Sequence, residues 1–201
     1  MNAGRSARGR EFAAKHCDIA FVSAHDPAPE AIKKQVDACR SEASTKFGKD
    51  IQIWMSAYVV LKDTTKEAQE YVHDYVVTQG DDAAVQNILN NSEIDTTKLS
   101  PEAASKQSFS LKAGFYGYPL VGDPDHVAEL FKNLSDAGVD GFLLTWLDYE
   151  GGLARFGREL LPRLEKAGLR APFIEMVSRP SRRRIKCRGC FNRFKTGAEP
   201  F

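Results

Sequence analysis

Short apolar runs alternate along this chain with longer segments of helical periodicity. The runs "DIAFVSA" (residues 18–24), "IQIWMSAYVVL" (51–61) and "DGFLLTW" (140–146) are apolar almost throughout. Continuous apolar character is typical of parallel strands that are covered on both faces, because neither side of such a strand meets water. The alternation therefore predicts an α/β fold in which helices flank a parallel sheet.

The segments that follow these runs show the capping residues and the apolar spacing of amphipathic helices. In the last full unit, Asp123 is placed to cap a helix, Pro124 suits its first turn and Gly138 suits its end. The predicted helices span Pro29–Phe47, Asp63 or Thr64 to Thr78, Asp81–Asn90, Asp123–Gly138 and Tyr149–Ala167.

Residues 91–124 fit the alternation less well. The stretch "NSEIDTTKLSPEAASKQS" (91–108) is polar and short of core-forming residues, so it is predicted to be an insertion with at most one helical turn. The stretch "FSLKAGFYGYPLVGDP" (109–124) is rich in glycine and aromatic residues and is predicted to be a loop that returns to the fold.

The number of strands bounds the architecture. Three strands are evident, and Met1–Ala3 is a candidate stub of a fourth. An open doubly wound sheet usually has more strands, and a (β/α)8 barrel needs eight strands and about 250 residues. The chain has 201 residues and its α/β pattern ends near residue 173, so we expect the back half of something larger.

Composition excludes several classes of protein. Hydrophobic residues make up 42% of the chain and charged residues 27%, the balance of a globular protein rather than a disordered one. No apolar run approaches the roughly 20 residues of a membrane span. The start "MNAGRSARGR" lacks the apolar core of a signal peptide. We therefore expect a cytoplasmic protein with no membrane partner.

The net charge of +1 hides a basic C-terminus. Residues 179–201 carry eight basic residues and one acid, Glu199. The abrupt change of composition is typical of a disordered tail or a shifted reading frame, and we expect an irregular basic tail over residues 174–201. The less favoured alternative is an extension that binds nucleic acid or a membrane surface, with Phe191 and Phe194 among its charges.

The stretch "AGRSARGREFAAKHCDIAF" (3–21) combines glycines, a serine and arginines just before a helical segment and a strand. A serine hydroxyl, amides freed by glycines and the positive end of a helix are groups that bind a phosphate, and arginine adds charge. The candidate phosphate-binding residues are Gly4, Arg5, Ser6, Arg8 and Gly9. The alternative is an ordinary helix N-cap at Ser6 with solvated arginines.

The same stretch resembles the segment after the fifth strand in the bacterial luciferase-like family of flavin-dependent monooxygenases. The run "GYPLVGDPDHVAELFKNLSDAGVDGFLLTWLDYEGGLARFGRELLPRL" (117–164) is similar to the last helix–strand–helix unit of that family. The resemblance covers about residues 3–170. It points to the branch with alkanesulfonate, dimethyl sulfone, nitrilotriacetate and pyrimidine monooxygenases.

The resemblance implies that residues 1–173 are the C-terminal portion of a TIM (β/α)8 barrel, with about three to four parallel strands. It implies a monooxygenase, an oxidoreductase that uses reduced FMN to insert one oxygen atom from O2 into a small sulfonate, sulfone or N-heterocycle. A separate NAD(P)H-dependent flavin reductase would supply the FMN. The resemblance also implies a homo-oligomer and places Ser6 against the FMN phosphate.

Two alternatives accompany this interpretation. The family's first strands have no counterpart in the chain, so a truncated, inactive barrel fragment that acts as an interaction subunit is the alternative function. A deazaflavin is the alternative cofactor, because the serine loop alone does not exclude it.

The remaining candidates are single residues. His25 follows one predicted strand and Trp146 ends another, at the edge where barrel enzymes carry their sites. For His25 a structural or solvated role is favoured, and for Trp146 packing against the last helix is an equal alternative. Cys187 and Cys190 form a single CxxC pair, which is a weak metal signal without a second pair. We predict no metal site and assign no catalytic residue.

Overall fold

The fold is built on a sheet in which the paired strands run in the same direction. The computed structural model of the protein describes residues 1–4, 6–22, 26–91 and 100–172. Within these residues the strands are β1 (Ile19–Val22), β2 (Gln52–Leu61), β3 (Tyr118–Gly122) and β4 (Gly141–Thr145). The predicted α/β class with three to four parallel strands is confirmed.

The central strand of the sheet is β2. Its first half pairs with β1, starting with Ile19 opposite Gln52, and its second half pairs with β3, starting with Tyr118 opposite Ala57. The third partner, β4, pairs with residues 54–58 of β2. Because that span overlaps both other pairings, β4 occupies one edge of β2 while β1 and β3 share the opposite edge.

The N-terminal residues extend the sheet beyond β1. The amide of Asn2 donates to the carbonyl of Ile19 at 3.1 Å, and the amide of Phe21 donates to the carbonyl of Asn2 at 3.1 Å. These bonds form an isolated parallel bridge between Asn2 and Ala20. The predicted stub at Met1–Ala3 is therefore present as one bridge on the outer edge of β1.

Helices connect and cover the strands. They are α1 (Ala7–His16), α2 (Pro29–Phe47), α3 (Thr65–His73), α4 (Asp82–Asn91), α5 (Pro101–Gly114), α6 (Pro124–Asp136), α7 (Tyr149–Arg155) and α8 (Leu161–Lys166), and π-helical turns at Asp74–Thr78 and Phe156–Leu160 continue α3 and α7. The helices predicted from capping and periodicity are confirmed. No helix in the described part of the chain is both long and apolar enough to cross a membrane.

The two faces of the sheet are covered unequally. One face carries Ile53 and Met55, which are fully buried against side chains of α1, α2, α6 and α8. On the other face the register aligns Phe21, Trp54 and Gly141 in one row, and all three are half-buried. A smaller cluster beneath α3 and α5 covers the C-terminal end of this second face.

The prediction of irregular structure over residues 100–124 was wrong. Ser100 caps α5 by accepting from the amide of Ala103 at 3.2 Å, and Pro101 occupies its first turn. The helix buries just Leu111 and Ala113, so its apolar stripe is too narrow to stand out in the sequence. The strand β3 follows where a loop was predicted. The rest of the predicted insertion, 92–99, lies outside the described residues.

The prediction that β4 is buried on both faces was also wrong. Leu143, at its centre, is 54% exposed, while Phe142 and Leu144 pack against the core. The physical reason is position: β4 lies at an edge of the sheet, and the face that carries Leu143 has no helix over it among the described residues. An apolar run alone does not distinguish a covered face from an open one.

Asp123 links two helix starts at the C-terminal end of the sheet. Its carboxylate accepts from the amides of Asp125 and His126 and so caps α6, as the sequence predicts. The hydroxyl of Thr65, at the start of α3, donates to the same carboxylate at 2.6 Å. This hydroxyl, followed by the His126 amide, lowers the pKa of Asp123 below its ordinary 3.8.

We expect Asp123→Asn to change the pH dependence of stability. Because the pKa is lower in the folded state, the carboxylate stabilises the fold fully above pH 3.8 and loses this effect as the pH falls through the folded pKa. The variant should be less stable at pH 7 by less than about 1 kcal/mol, since solvent screens the half-buried group. Urea unfolding of both proteins between pH 6 and 2.5 measures this effect. A difference in their free energies of unfolding that stays constant over this range would contradict the prediction.

Candidate functional site

The predicted phosphate loop lies at the C-terminal edge of the sheet. Asn2 pairs with β1 in parallel, so the chain leaves this stub at the same edge where the other strands end. Parallel α/β folds bind ligands at this edge. The loop then turns directly into α1, whose N-terminus begins at Ala7.

Ser6 is the N-cap of α1. Its backbone is extended, with φ −66° and ψ 159°, and its Oγ accepts from the amide of Gly9 at 3.0 Å. Its carbonyl accepts from the amide of Arg10 at 2.9 Å. The cap uses the hydroxyl as an acceptor, so its O–H remains a donor for an outside group. The exposed Ser6 can therefore cap the helix and contact an anion at the same time.

Gly4 and Gly9 allow the loop to touch the helix. A Cβ on Gly4 would lie 2.8 Å from the Cα of Gly9, and a Cβ on Gly9 would lie 2.8 Å from the Cα of Gly4. Their amides are already used, since Gly4 donates to Oδ1 of Asn2 at 2.7 Å and Gly9 donates to Ser6. The glycines thus provide close approach of the two backbones rather than free donors.

The first turn of α1 offers two further amide donors. Among the described residues no acceptor is bonded to the amides of Ala7 or Arg8, which are in the first turn of α1. Unpaired first-turn amides together with the helix dipole favour an anion at this position. Arg8 is exposed beside them. Arg5 lies outside the described residues.

A cavity of about 330 Å³ adjoins the loop. Gly4 and Phe21 line one side of it, and side chains of α2, including Lys34 and Cys39, line the other. Burial raises the pKa of the Cys39 thiol, so this group stays protonated near neutral pH and is a poor nucleophile there. The cavity therefore offers space next to the loop, without a reactive thiolate near neutral pH.

A second cavity, of about 230 Å³, lies at the C-terminal ends of β2 and β4. Lys62 and Arg155 line it and were missed by the sequence reasoning. The Nζ of Lys62 lies 3.8 Å from the centre of the Tyr71 ring, and Arg155 pairs with Asp63 and Glu159. The signal available in the sequence was the lysine directly after the apolar run of β2.

Of the remaining candidates, Trp146 lies in the described part of the chain. Trp146 lines the cavity and also packs edge-to-face on Phe156, with ring centroids 5.6 Å apart, so both of its predicted roles have a contact. His25, Cys187 and Cys190 lie outside the described residues. In the described ranges no group of histidine, cysteine and acidic side chains could hold a metal ion.

Comparison with known proteins shows the family to which the sequence belongs. The family model for luciferase-like monooxygenases matches residues 1–141. An FMNH2-dependent dimethylsulfone monooxygenase of Pseudomonas fluorescens is 28% identical over 174 residues, which are 84% of this chain and 46% of that protein. A long-chain alkane monooxygenase of Geobacillus thermodenitrificans is 29% identical over 83% of this chain and 40% of its own length.

Solved structures agree with the sequence comparison. A crystal structure of a long-chain alkane monooxygenase superposes with a TM-score of 0.67 at 29% identity, covering 86% of this chain and 42% of that one. A riboflavin lyase with modified FMN superposes with a TM-score of 0.70 at 24% identity, covering 84% and 43%, which supports the fold alone. The chain spans less than half the length of these relatives. It belongs to the luciferase-like monooxygenase family, and its sheet and helices are the corresponding portion of that family's (β/α)8 barrel.

Proposed function

We propose that this chain is the phosphate-binding portion of a monooxygenase that uses reduced FMN to insert one oxygen atom from O2 into a small organic substrate. The family match over residues 1–141 carries the proposal. The named relatives include FMNH2-dependent dimethylsulfone monooxygenases. A sulfone, a sulfonate or an N-heterocycle is the substrate class, as the resemblance implies.

The loop before α1 fits a phosphate. In the proposed site the Ser6 hydroxyl and the amides of Ala7 and Arg8 donate to the phosphate oxygens, and the guanidinium groups of Arg5 and Arg8 add charge. Gly4 and Gly9 hold the loop against the helix, because a side chain at either position would meet the other backbone at 2.8 Å.

The chemistry belongs to the cofactor and its position to the chain. When bound, reduced FMN supplies the two electrons with which one atom of O2 enters the substrate and the other leaves as water. The loop would hold the phosphate end of FMN at the C-terminal edge of the sheet. The cavity beside Trp146, Lys62 and Arg155 lies at that same edge and is the candidate substrate side.

The wider organisation is part of the proposal. Residues 1–173 form the barrel portion, and residues 174–201 are a basic tail with no assigned nucleic-acid or membrane partner. The protein works in the cytoplasm as a homo-oligomer and receives reduced FMN from a separate NAD(P)H-dependent flavin reductase.

Ser6→Asp tests the phosphate contact without removing the helix cap, because aspartate caps helices as well as serine does. The wild-type chain should bind FMN about tenfold more tightly than riboflavin, which lacks the phosphate. In the variant this ratio should fall to about one, since a carboxylate repels the phosphate. Fluorescence titration of both ligands measures the ratio.

Ser100→Asp is the matched control, because Ser100 caps α5 in the same way and is separate from the loop. It should leave both affinities unchanged. A wild-type chain that binds neither flavin at micromolar concentration would refute the proposal. A ratio that survives Ser6→Asp would remove Ser6 from the site.

An interaction subunit without catalysis is the second candidate function. The observation that favours it is the exposed Leu143 on an edge strand of a parallel sheet. Sheets of this kind are normally covered on both faces. A chain that is monomeric, cooperatively folded and binds FMN would argue against this function.

A further inference from the structure

A third cavity, of about 140 Å³, lies between α5 and the C-terminal ends of β2 and β4. It adjoins the cavity of about 230 Å³, because Val60, Trp146 and Leu147 line both. An engineered cavity of about 150 Å³ in another protein binds benzene. The smaller cavity therefore has room for one small organic molecule or for the head group of a larger one.

Tyr58 contributes the first polar group of this cavity. The residue is 7% exposed, and a Cβ on Gly114 would lie 2.4 Å from its Cδ1, so the end of α5 fixes the ring. Among the described residues no group is bonded to its hydroxyl. Burial raises the pKa of Tyr58 to about 12, so the hydroxyl keeps its proton at neutral pH and can donate it.

Trp146 contributes a second unused donor. Its Nε1 is buried, and no acceptor in the described part of the chain is bonded to it. The indole is held by Phe156, and by Gly152, where a Cβ would lie 2.4 Å from its Cδ1. A buried N–H without a partner is unfavourable. An acceptor that reaches it from the cavity thus forms a bond for which the protein supplies no group of its own.

Lys112 gives the cavity a positive charge. Its Nζ lies 2.7 Å from Oδ1 of Asp82, and an ammonium has three protons, so this pairing leaves further donors. The lysine side chain is 15% exposed, whereas that of Asp82 is 79% exposed and is screened by solvent. Within the described ranges no carboxylate lines the cavity. The lining therefore combines a cation with two unused neutral donors.

We propose that this cavity holds the sulfonate group of an alkanesulfonate. Tyr58 and Trp146 donate to sulfonate oxygens, and the Lys112 ammonium pairs with the negative charge. A sulfonate has acceptors and a charge to match these groups, whereas a neutral sulfone or N-heterocycle leaves the lysine unmatched. The inference rests on the proposed monooxygenase for its choice of substrate classes, and it narrows them to the sulfonate.

The indole N–H signals of the full chain, in a proton–nitrogen correlation spectrum, test the site. The chain has two tryptophans. Methanesulfonate should shift the signal of Trp146 and leave that of Trp54 in place, because Nε1 of Trp54 already donates to Oε1 of Gln52 at 3.2 Å. Trp54→Phe assigns the signals, and sodium chloride at equal ionic strength is the control. Equal shifts of both signals, or none at about 50 mM ligand, would overturn the proposal.

Dimethyl sulfone is a neutral ligand of similar size and tests the role of charge. The wild-type chain should bind it about tenfold more weakly than methanesulfonate, and Lys112→Met should reduce this ratio to about one. Tyr58→Phe keeps the ring and should weaken methanesulfonate binding about fivefold. Equal binding of the two ligands by the wild type, or unchanged binding by Tyr58→Phe, would overturn the proposal.

Asp82→Asn is the matched control for Lys112→Met. It breaks the same ion pair and keeps the ammonium, so the preference for methanesulfonate should persist at about tenfold or more. Loss of the preference in both variants would mean that Lys112 acts through the fold, which would overturn its assignment.

The titrations contain no flavin, so the two proposals fail separately. Absence of sulfonate binding in a chain that binds FMN would overturn this inference and leave the proposed function in place. A specific shift at Trp146 in a chain that does not bind FMN would support the sulfonate site and refute the proposed function.

Discussion

Gly9→Val should abolish measurable FMN binding, with a loss of about 1,000-fold in affinity if three charge-assisted donors are displaced together. A Cβ at this position lies 2.8 Å from the Cα of Gly4, 3.0 Å from its carbonyl carbon and 3.1 Å from its carbonyl oxygen. All three contacts are backbone atoms, so the loop must move away from α1. The Ser6 hydroxyl and the first-turn amides would then no longer converge on one point.

Gly157→Val is the matched control for this variant. Gly157 is also helical, but a Cβ there meets no atom within 4 Å. Its change should leave FMN affinity within about twofold, because valine and glycine differ little in helix propensity. Fluorescence titration gives the affinity, and circular dichroism gives the fold. Equal losses in the two variants would mean that the close approach of Gly4 and Gly9 does not shape the site.

Ile53→Ala should remove about 2–5 kcal/mol from the free energy of unfolding, the range for deleting a buried aliphatic side chain. Ile53 is fully buried on the central strand and faces the cluster formed with α1, α2 and α6. A domain of this kind has about 5–15 kcal/mol in total, so this one change takes a large share. Urea unfolding at pH 7 measures the difference.

Leu153→Ala is the corresponding surface change. Leu153 lies on α7 and is 49% exposed, so the loss should stay below about 1 kcal/mol. The ratio between the two variants is the informative quantity. If both lose the same amount, the face of β2 that carries Ile53 is not the centre of the core.

Much of the fold could be predicted from local pattern. The strands at residues 51–61 and the helix at Pro29–Phe47 follow directly from apolar runs, a first-turn proline and a terminating glycine, Gly48, with φ 60°. α5 could not, because it buries two residues along fourteen and its stabilising contacts are distant in sequence. β3 could not either, because its glycine and proline suggested a loop, whereas pairing with the second half of β2 makes it a strand.

Part of the candidate site could likewise be predicted from the sequence, and part of it could not. Ser6, Gly4 and Gly9 were predictable because a helix cap and a glycine-assisted turn are local features. The cavity lined by Lys62 and Arg155 was not, because these side chains meet only when the ends of β2 and β4 come together. The exposure of Leu143 was hidden for the same reason: an apolar run reports hydrophobicity, while cover depends on which neighbours the sheet has.

The central place of β2 has a consequence for the order of folding. Its partners come from both directions along the chain, since β1 precedes it and β3 and β4 follow it, and the bond between Ile53 and Asp140 joins residues 87 positions apart. Such distant pairing forms slowly, because loop closure must precede the contact. During synthesis β2 emerges long before β4 exists. Until then this apolar strand lacks its partner along one edge. A nascent chain of this type is therefore a natural client for chaperones, and its yield of native protein should depend on how fast translation passes residue 145.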